Sequence, residues 1–187
     1  MNRVRSLFWL SVLAFGSFAQ QQKTAGPGAN SFKVNPKLHA DVLTLVELQD
    51  TRARMLAGIK PSLESGKAEI AKSCPNCKPI FADEWFTRMQ ARIKIDDFVA
   101  VAVRAYEKYF SDEEVKELIA YGKAKKANQN PEISPALKQK LSDVMPLLAS
   151  EIMSGCTQIS ARLGALVGEE IGKEHPEYLK GRENTAK

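Results

Sequence analysis

The chain has 187 residues, a formal net charge of +5 and 44% hydrophobic residues. That length suits one domain and that apolar share suits a packed core. The balance is only mildly basic, which argues for a solvated surface rather than a nucleic-acid partner, and no apolar run reaches the roughly 20 residues of a membrane-spanning helix.

The chain opens with Arg3 and Arg5, then an apolar run from Leu7 to Phe15, then Ser17-Phe18-Ala19, a small-x-small cleavage site. Residues 1–19 therefore read as a secretory signal peptide. No cysteine stands at the cleavage point, so a lipoprotein anchor is not suggested. Cleavage after Ala19 removes two arginines and leaves a mildly basic protein in the periplasm or the medium. Residues 20–34 are rich in Gln, Gly, Asn and Pro and read as a disordered leader. Residues 35–178 read as a single helical domain and 179–187 as a polar tail.

Asn35-Pro36 places an N-cap before a proline at the first helical position. Leu38, Val42, Leu45 and Val46 follow at helical spacing, which predicts a helix from Pro36 to Gln49. Asp50 or Thr51 can cap a second helix with Met55, Ile59 and Leu63 on one face. Pro61 is expected to kink or interrupt it. Ser73 to Ile80 reads as a loop, and a third helix is expected from near Asp83, with Trp85, Phe86, Met89 and Ile93 buried. Asp96-Asp97 falls badly on that face and predicts a break or a new N-cap. The run Ile93 to Val103 also alternates like a strand, but no partner strand exists elsewhere, so a helix is expected. Ser134-Pro135 begins the last helix. Leu137, Leu141, Val144, Leu148, Ile152, Cys156, Ile159, Leu163 and Leu166 make its apolar stripe, a kink is expected at Pro146, and His175-Pro176 ends it. The expected fold is all-α: a bundle of about five helices built from antiparallel αα-hairpins, with a long kinked C-terminal helix.

The corner from Tyr106 to Gly122 has the densest signals. Val99, Val103, Tyr106 and Phe110 share one helical face, and Val115, Leu118, Ile119 and Gly122 share another. Between them, Ser111 and Glu114 have the spacing of a capping box, with acidic residues opening the following helix and lysines closing it. So short a turn predicts an αα-hairpin. The set Tyr106, Phe110, Ser111, Glu114, Val115, Leu118, Tyr121, Pro131 and Glu132 resembles the core motif of domain-of-unknown-function family 2059, an exported bacterial family. The resemblance implies an all-α exported protein and no activity, since that family has none assigned. Where its members continue with a tyrosine and a Ser-Pro-x-Gly turn, this chain has Gly122 and then Ala124, Lys125, Lys126 and Ala127, so the helix is expected to run on.

Cys74-Pro75-Asn76-Cys77 is the motif that invites chemistry. In an oxidising compartment it reads first as a structural disulfide, joining Cys74 to Cys77 or one of them to Cys156. A thiol–disulfide redox pair is the alternative; against it stand the missing βαβ context and a helix expected to start too far away for its dipole to reach Cys74. Cys74, Cys77 and Cys156 with His39 or His175 contain the residue types of a zinc site, but only Cys74 and Cys77 have ligand spacing. The carboxylates Asp96-Asp97, Asp112 to Glu114 and Glu169-Glu170 read as surface or helix-end charges. There is no nucleophile elbow, zinc-protease helix or Gly-rich phosphate loop, so no cofactor is expected. Trp85, Phe86, Phe98, Tyr106, Tyr109, Phe110 and Tyr121 read as core, except Tyr109, which falls off the stripe. The function expected is a non-catalytic binding or interaction protein of the cell envelope, with an envelope protein or polymer as partner. The alternatives are the Cys74/Cys77 redox protein and a carrier of an apolar ligand. A homodimer stays open, since long helices often pair between chains.

Overall fold

The computed structural model describes residues 35–179, which form α1 (Pro36–Leu48), α2 (Thr51–Ser73), α3 (Pro79–Arg92), α4 (Ile95–Tyr109), α5 (Asp112–Lys126) and α6 (Pro135–Glu174), then a 3-10 turn at Pro176–Tyr178. The signal peptide and leader read from residues 1–34, and the tail from residue 180 on, lie outside the described residues. Among the described residues there is no strand, and the alternating run Ile95 to Val103 is helical. An isolated strand leaves its backbone groups unpaired, whereas a helix satisfies its own.

Helix ends follow local chemistry. The Asn35 side chain accepts from the Lys37 amide at 3.1 Å, ahead of Pro36. Ser134 accepts from the Leu137 amide at 3.3 Å, ahead of Pro135. At the corner, Ser111 Oγ accepts from the Glu114 amide at 3.3 Å while the Ser111 amide donates to Glu114 Oε2 at 2.7 Å, a complete capping box. α5 runs past Gly122 and stops in a Schellman motif, with Asn128 N–H donating to Lys125 O at 3.0 Å and Gln129 N–H to Ala124 O at 2.9 Å. Asn128 holds the required positive φ of 57°.

Several boundaries differ from the sequence reading. α3 starts at Pro79, not near Asp83, because proline is already set for the first helical position and lacks the N–H that would go unpaired there. The loop before it is correspondingly shorter than Ser73 to Ile80. The break before α4 falls at Ile93-Lys94, which leaves Asp96 and Asp97 in the first turn of α4 rather than at its N-cap. Pro61 does not interrupt α2, and α6 likewise continues through Pro146. Asp50 is the residue before α2, but in left-handed backbone (φ 53°) and without a side-chain cap.

The strongly amphipathic α4 is the hub, burying Phe98, Val99, Val101, Ala102, Val103, Ala105 and Tyr106. It packs against α6, α1 and α2. α5 lies chiefly against α1 and runs the same way, for Lys37 pairs with Asp112 at one end and Asp50 with Lys126 at the other. The Phe110-Ser111 corner thus carries α5 across to α1 instead of laying it along α4. α2 and α3 form an antiparallel hairpin in which Lys67 pairs with Asp83 and Gly66 faces the Trp85 ring. α6 joins two cores. Its first half meets α1, α4 and α5 through Leu137, Leu141 and Leu148, and its last third meets α2 and α3 through Val167 and Ile171. At 1.5 Å per residue its 40 residues span about 60 Å, long enough to cover both.

Candidate functional site: the Cys74–Cys77 clasp and its cleft

The α2–α3 hairpin is closed by a short link. Cys74 is the residue at which α2 ends, and its amide donates to Ile70 O at 2.9 Å. The chain then turns tightly, with Cys77 N–H donating to Cys74 O at 3.0 Å. The two sulfurs lie at disulfide distance, 1.95 Å, with Cα atoms 5.3 Å apart. Cys77 stands just two residues before the first residue of α3. Lys78, between them, donates its backbone N–H to Tyr178 O at 3.0 Å and so ties the link to the 3-10 turn.

The hairpin encloses a cleft of about 370 Å³ beside the sulfurs. Ala68, Ile70, Ala71, Phe81 and Ala82 make its apolar wall, and Glu64, Lys67, Lys78 and Asp83 stand at its polar edge. Lys67 and Asp83 neutralise each other across it. Ile80, 48% exposed, sits on the same turn of α3. The cleft exists because Pro79 starts α3 early and the five-residue link from Cys74 to Lys78 holds it against α2.

No family model, curated protein or solved structure matches this chain.

Cys156 is not part of this place. It is buried in α6 against Phe98 and Val101, as a free thiol whose pKa burial pushes up. Neither a Cys156 bridge nor a three-cysteine zinc site is therefore assembled. His39 pairs with Glu107 at 2.6 Å across α1 and α4. His175 caps the end of α6, stacks on Tyr178 at 4.6 Å and pairs with Glu177.

Sequence reasoning missed the convergence of Glu84, Glu174 and His175, whose ligand atoms lie within 4.8 Å of one another. Arg88 already occupies it, bonded to Glu84 and, at 2.5 Å, to Glu174 Oε2. These contacts, Glu174 first, hold the guanidinium firmly protonated. The spacing from Arg88 to Glu174 is too long in sequence for any local signal to reveal it.

The corner residues are structural. Tyr106 and Phe110 are buried, with Tyr106 O–H donating to Gln49 at 3.0 Å. Glu114 also accepts from Lys140 at 2.6 Å. Burial would raise its pKa, but the Lys140 and Ser111 hydrogen bonds overcome this and hold it low. Tyr109 is half-buried and shares Glu151 with Lys108, donating at 2.9 Å. Tyr121 lies on α5 with the Lys125 ammonium 5.7 Å from its ring. Asp112 and Asp41 face each other across α5 and α1, and Asp112 pairs with Lys37 and Lys116. The Lys116 ammonium holds Asp112 below the usual carboxylate range, the wrong direction for a general acid.

Proposed function

We propose that this chain is an exported helical protein that works by binding another component of the cell envelope, through the α2–α3 cleft. The observation that carries the reading is the cleft itself. Its volume of about 370 Å³ lies at the small end of ligand-sized sites. A wall of alanine, isoleucine and phenylalanine suits an apolar side chain of a polypeptide better than a hydroxyl-rich glycan. Export rests on the Arg3–Ala19 leader and on the resemblance of the Tyr106–Tyr121 corner to an exported family. No helix among the described residues is long and apolar enough to cross a membrane, in keeping with a protein released by its leader.

Filling the cleft tests this. A photo-crosslinker at Ile70 is expected to capture one envelope protein from intact cells, and Ala71→Trp is expected to abolish that adduct while leaving the helical signal unchanged. An adduct that survives Ala71→Trp would refute the cleft as the binding place. Carriage of an apolar ligand is the competing reading, and it predicts bound lipid in native mass spectra instead.

A further inference from the structure

The binding reading leaves Cys74-Pro75-Asn76-Cys77 unused. A bridge across so few residues closes one of the shortest possible loops and constrains little of the unfolded chain, so stapling the fold is a weak reason for it. What stands out is its place between two opposed helix ends. Cys74 ends α2, where backbone carbonyls leave partial negative charge. Cys77 precedes α3, whose positive end has no compensating group: Lys78 offers no side-chain acceptor, and no acidic residue lies in the first turn. The Lys78 ammonium lies over the Tyr178 ring, 6.0 Å from its centre, so the charge that bears on Cys77 is that of the α3 end itself. Both cysteines are half-buried and line the cleft, so an incoming group reaches them from solvent.

We propose that the Cys74–Cys77 bridge is a thiol–disulfide exchange site with a fixed polarity, in which Cys77 is the leaving thiolate and Cys74 carries the mixed disulfide. The sulfur whose thiolate is better stabilised leaves faster, and the helix ends assign that role to Cys77. A thiolate of a dithiol polypeptide attacks Cys74 Sγ, a new sulfur–sulfur bond forms there, the Cys74–Cys77 bond breaks and its electron pair goes to Cys77. The second thiolate of the same polypeptide then attacks its own sulfur in the mixed disulfide and releases Cys74. The polypeptide leaves with a disulfide, and the protein keeps two electrons and two protons as Cys74 and Cys77 thiols. Cys156 takes no part, being buried in the core. The seat for the polypeptide rests on the cleft reading, whereas the exchange step does not, because a small thiol needs no cleft.

The experiment uses the full oxidised chain and glutathione as the probe. A brief reaction with reduced glutathione, quenched in acid and mapped by mass spectrometry, is expected to place the adduct mainly on Cys74. Titration against glutathione buffers is expected to open the bridge within the accessible range of ratios. In Cys74→Ser, the remaining Cys77 thiol is expected to alkylate at pH 7 about tenfold faster than Cys74 does in Cys77→Ser. A bridge that stays closed in a large excess of reduced glutathione overturns the exchange site. Adducts mainly on Cys77, or equal alkylation rates, overturn the polarity. Failure to exchange with glutathione refutes this proposal alone, and an Ile70 adduct that never forms in the unaltered protein, or that survives Ala71→Trp, refutes the cleft alone.

Discussion

A single methyl group distinguishes two glycines of α6. A Cβ on Gly155 would stand 2.5 Å from Val101 Cγ1, whereas one on Gly168 would meet nothing within 4 Å. Valine is stiff at χ1 and cannot swing aside, so Gly155 marks a close approach of α6 to α4. Gly155→Ala is expected to destabilise the protein by about 1–3 kcal/mol through overpacking. Gly168→Ala is expected to be neutral or stabilising by up to about 1 kcal/mol, the helix-propensity gain of alanine over glycine. Urea unfolding of both variants checks the pair, and equal effects would remove the close approach as the cause. Trp85 shows the same economy of space. Its ring lies between Gly66 and Gly164 and its Nε1 donates to Gly164 O at 3.1 Å, which fixes α2, α3 and α6 around one indole. The sequence marks Trp85 as buried by its spacing, but nothing local names the glycines that make room for it.

Helix stops are decided within a few residues, and α5 is the clearest case. Its capping box and its Schellman stop are both built from neighbours in the chain. Asn128 is one of two non-glycine residues with positive φ among the described residues, the other being Asp50. Alanine at that φ carries a Cβ clash that asparagine tolerates better. Asn128→Ala is expected to cost about 1 kcal/mol, and Asn128→Gly to be neutral or better, read as shifts in the urea midpoint. A loss with glycine as large as with alanine would point to the side chain rather than the backbone. The α3 start teaches the converse. The acidic pair Asp83-Glu84 resembles a first turn, yet Pro79 opens the helix a full turn earlier, because the proline ring fits the first helical position and the clasp delivers the chain there. That shift brings Cys77 next to a helix N-terminus, while Cys74, at the end of α2, stays out of reach of the α3 dipole, as the sequence reading expected.

At the scale of the whole molecule, three apolar clusters among the described residues share α6, and none of them includes a residue of the clasp. Leu137, Leu141 and Leu148 belong to one and Val167 and Ile171 to another, with Cys156, Phe98 and Val101 in the third. Reduction of the Cys74–Cys77 bridge is expected to lower stability by no more than about 2 kcal/mol, the loop-closure value for so short a loop. The helical signal in circular dichroism is expected to persist. A collapse of helical content on reduction would assign the bridge to folding rather than to chemistry. The ion pairs Arg88–Glu174 and Arg92–Glu170 fasten the far end of α6 to α3 away from the bridge.

What the sequence determined by itself is local. Helix identity, the caps at Asn35, Ser111 and Ser134, and the buried faces of α4 and α5 all depend on residues within one or two turns, and periodicity reports them. Tertiary structure alone decided which faces meet. α5 runs along α1 because the corner after Phe110 turns it away from α4. The apolar stripe of α6 shifts by one residue near its end, so that Leu166 is 47% exposed while Val167 is fully buried, because the partner changes from α4 to α3. The partner of Cys74 was likewise open among two candidates, and the fold decided it by burying Cys156 in a different core. Such choices depend on contacts between residues far apart in the chain, which no local pattern encodes.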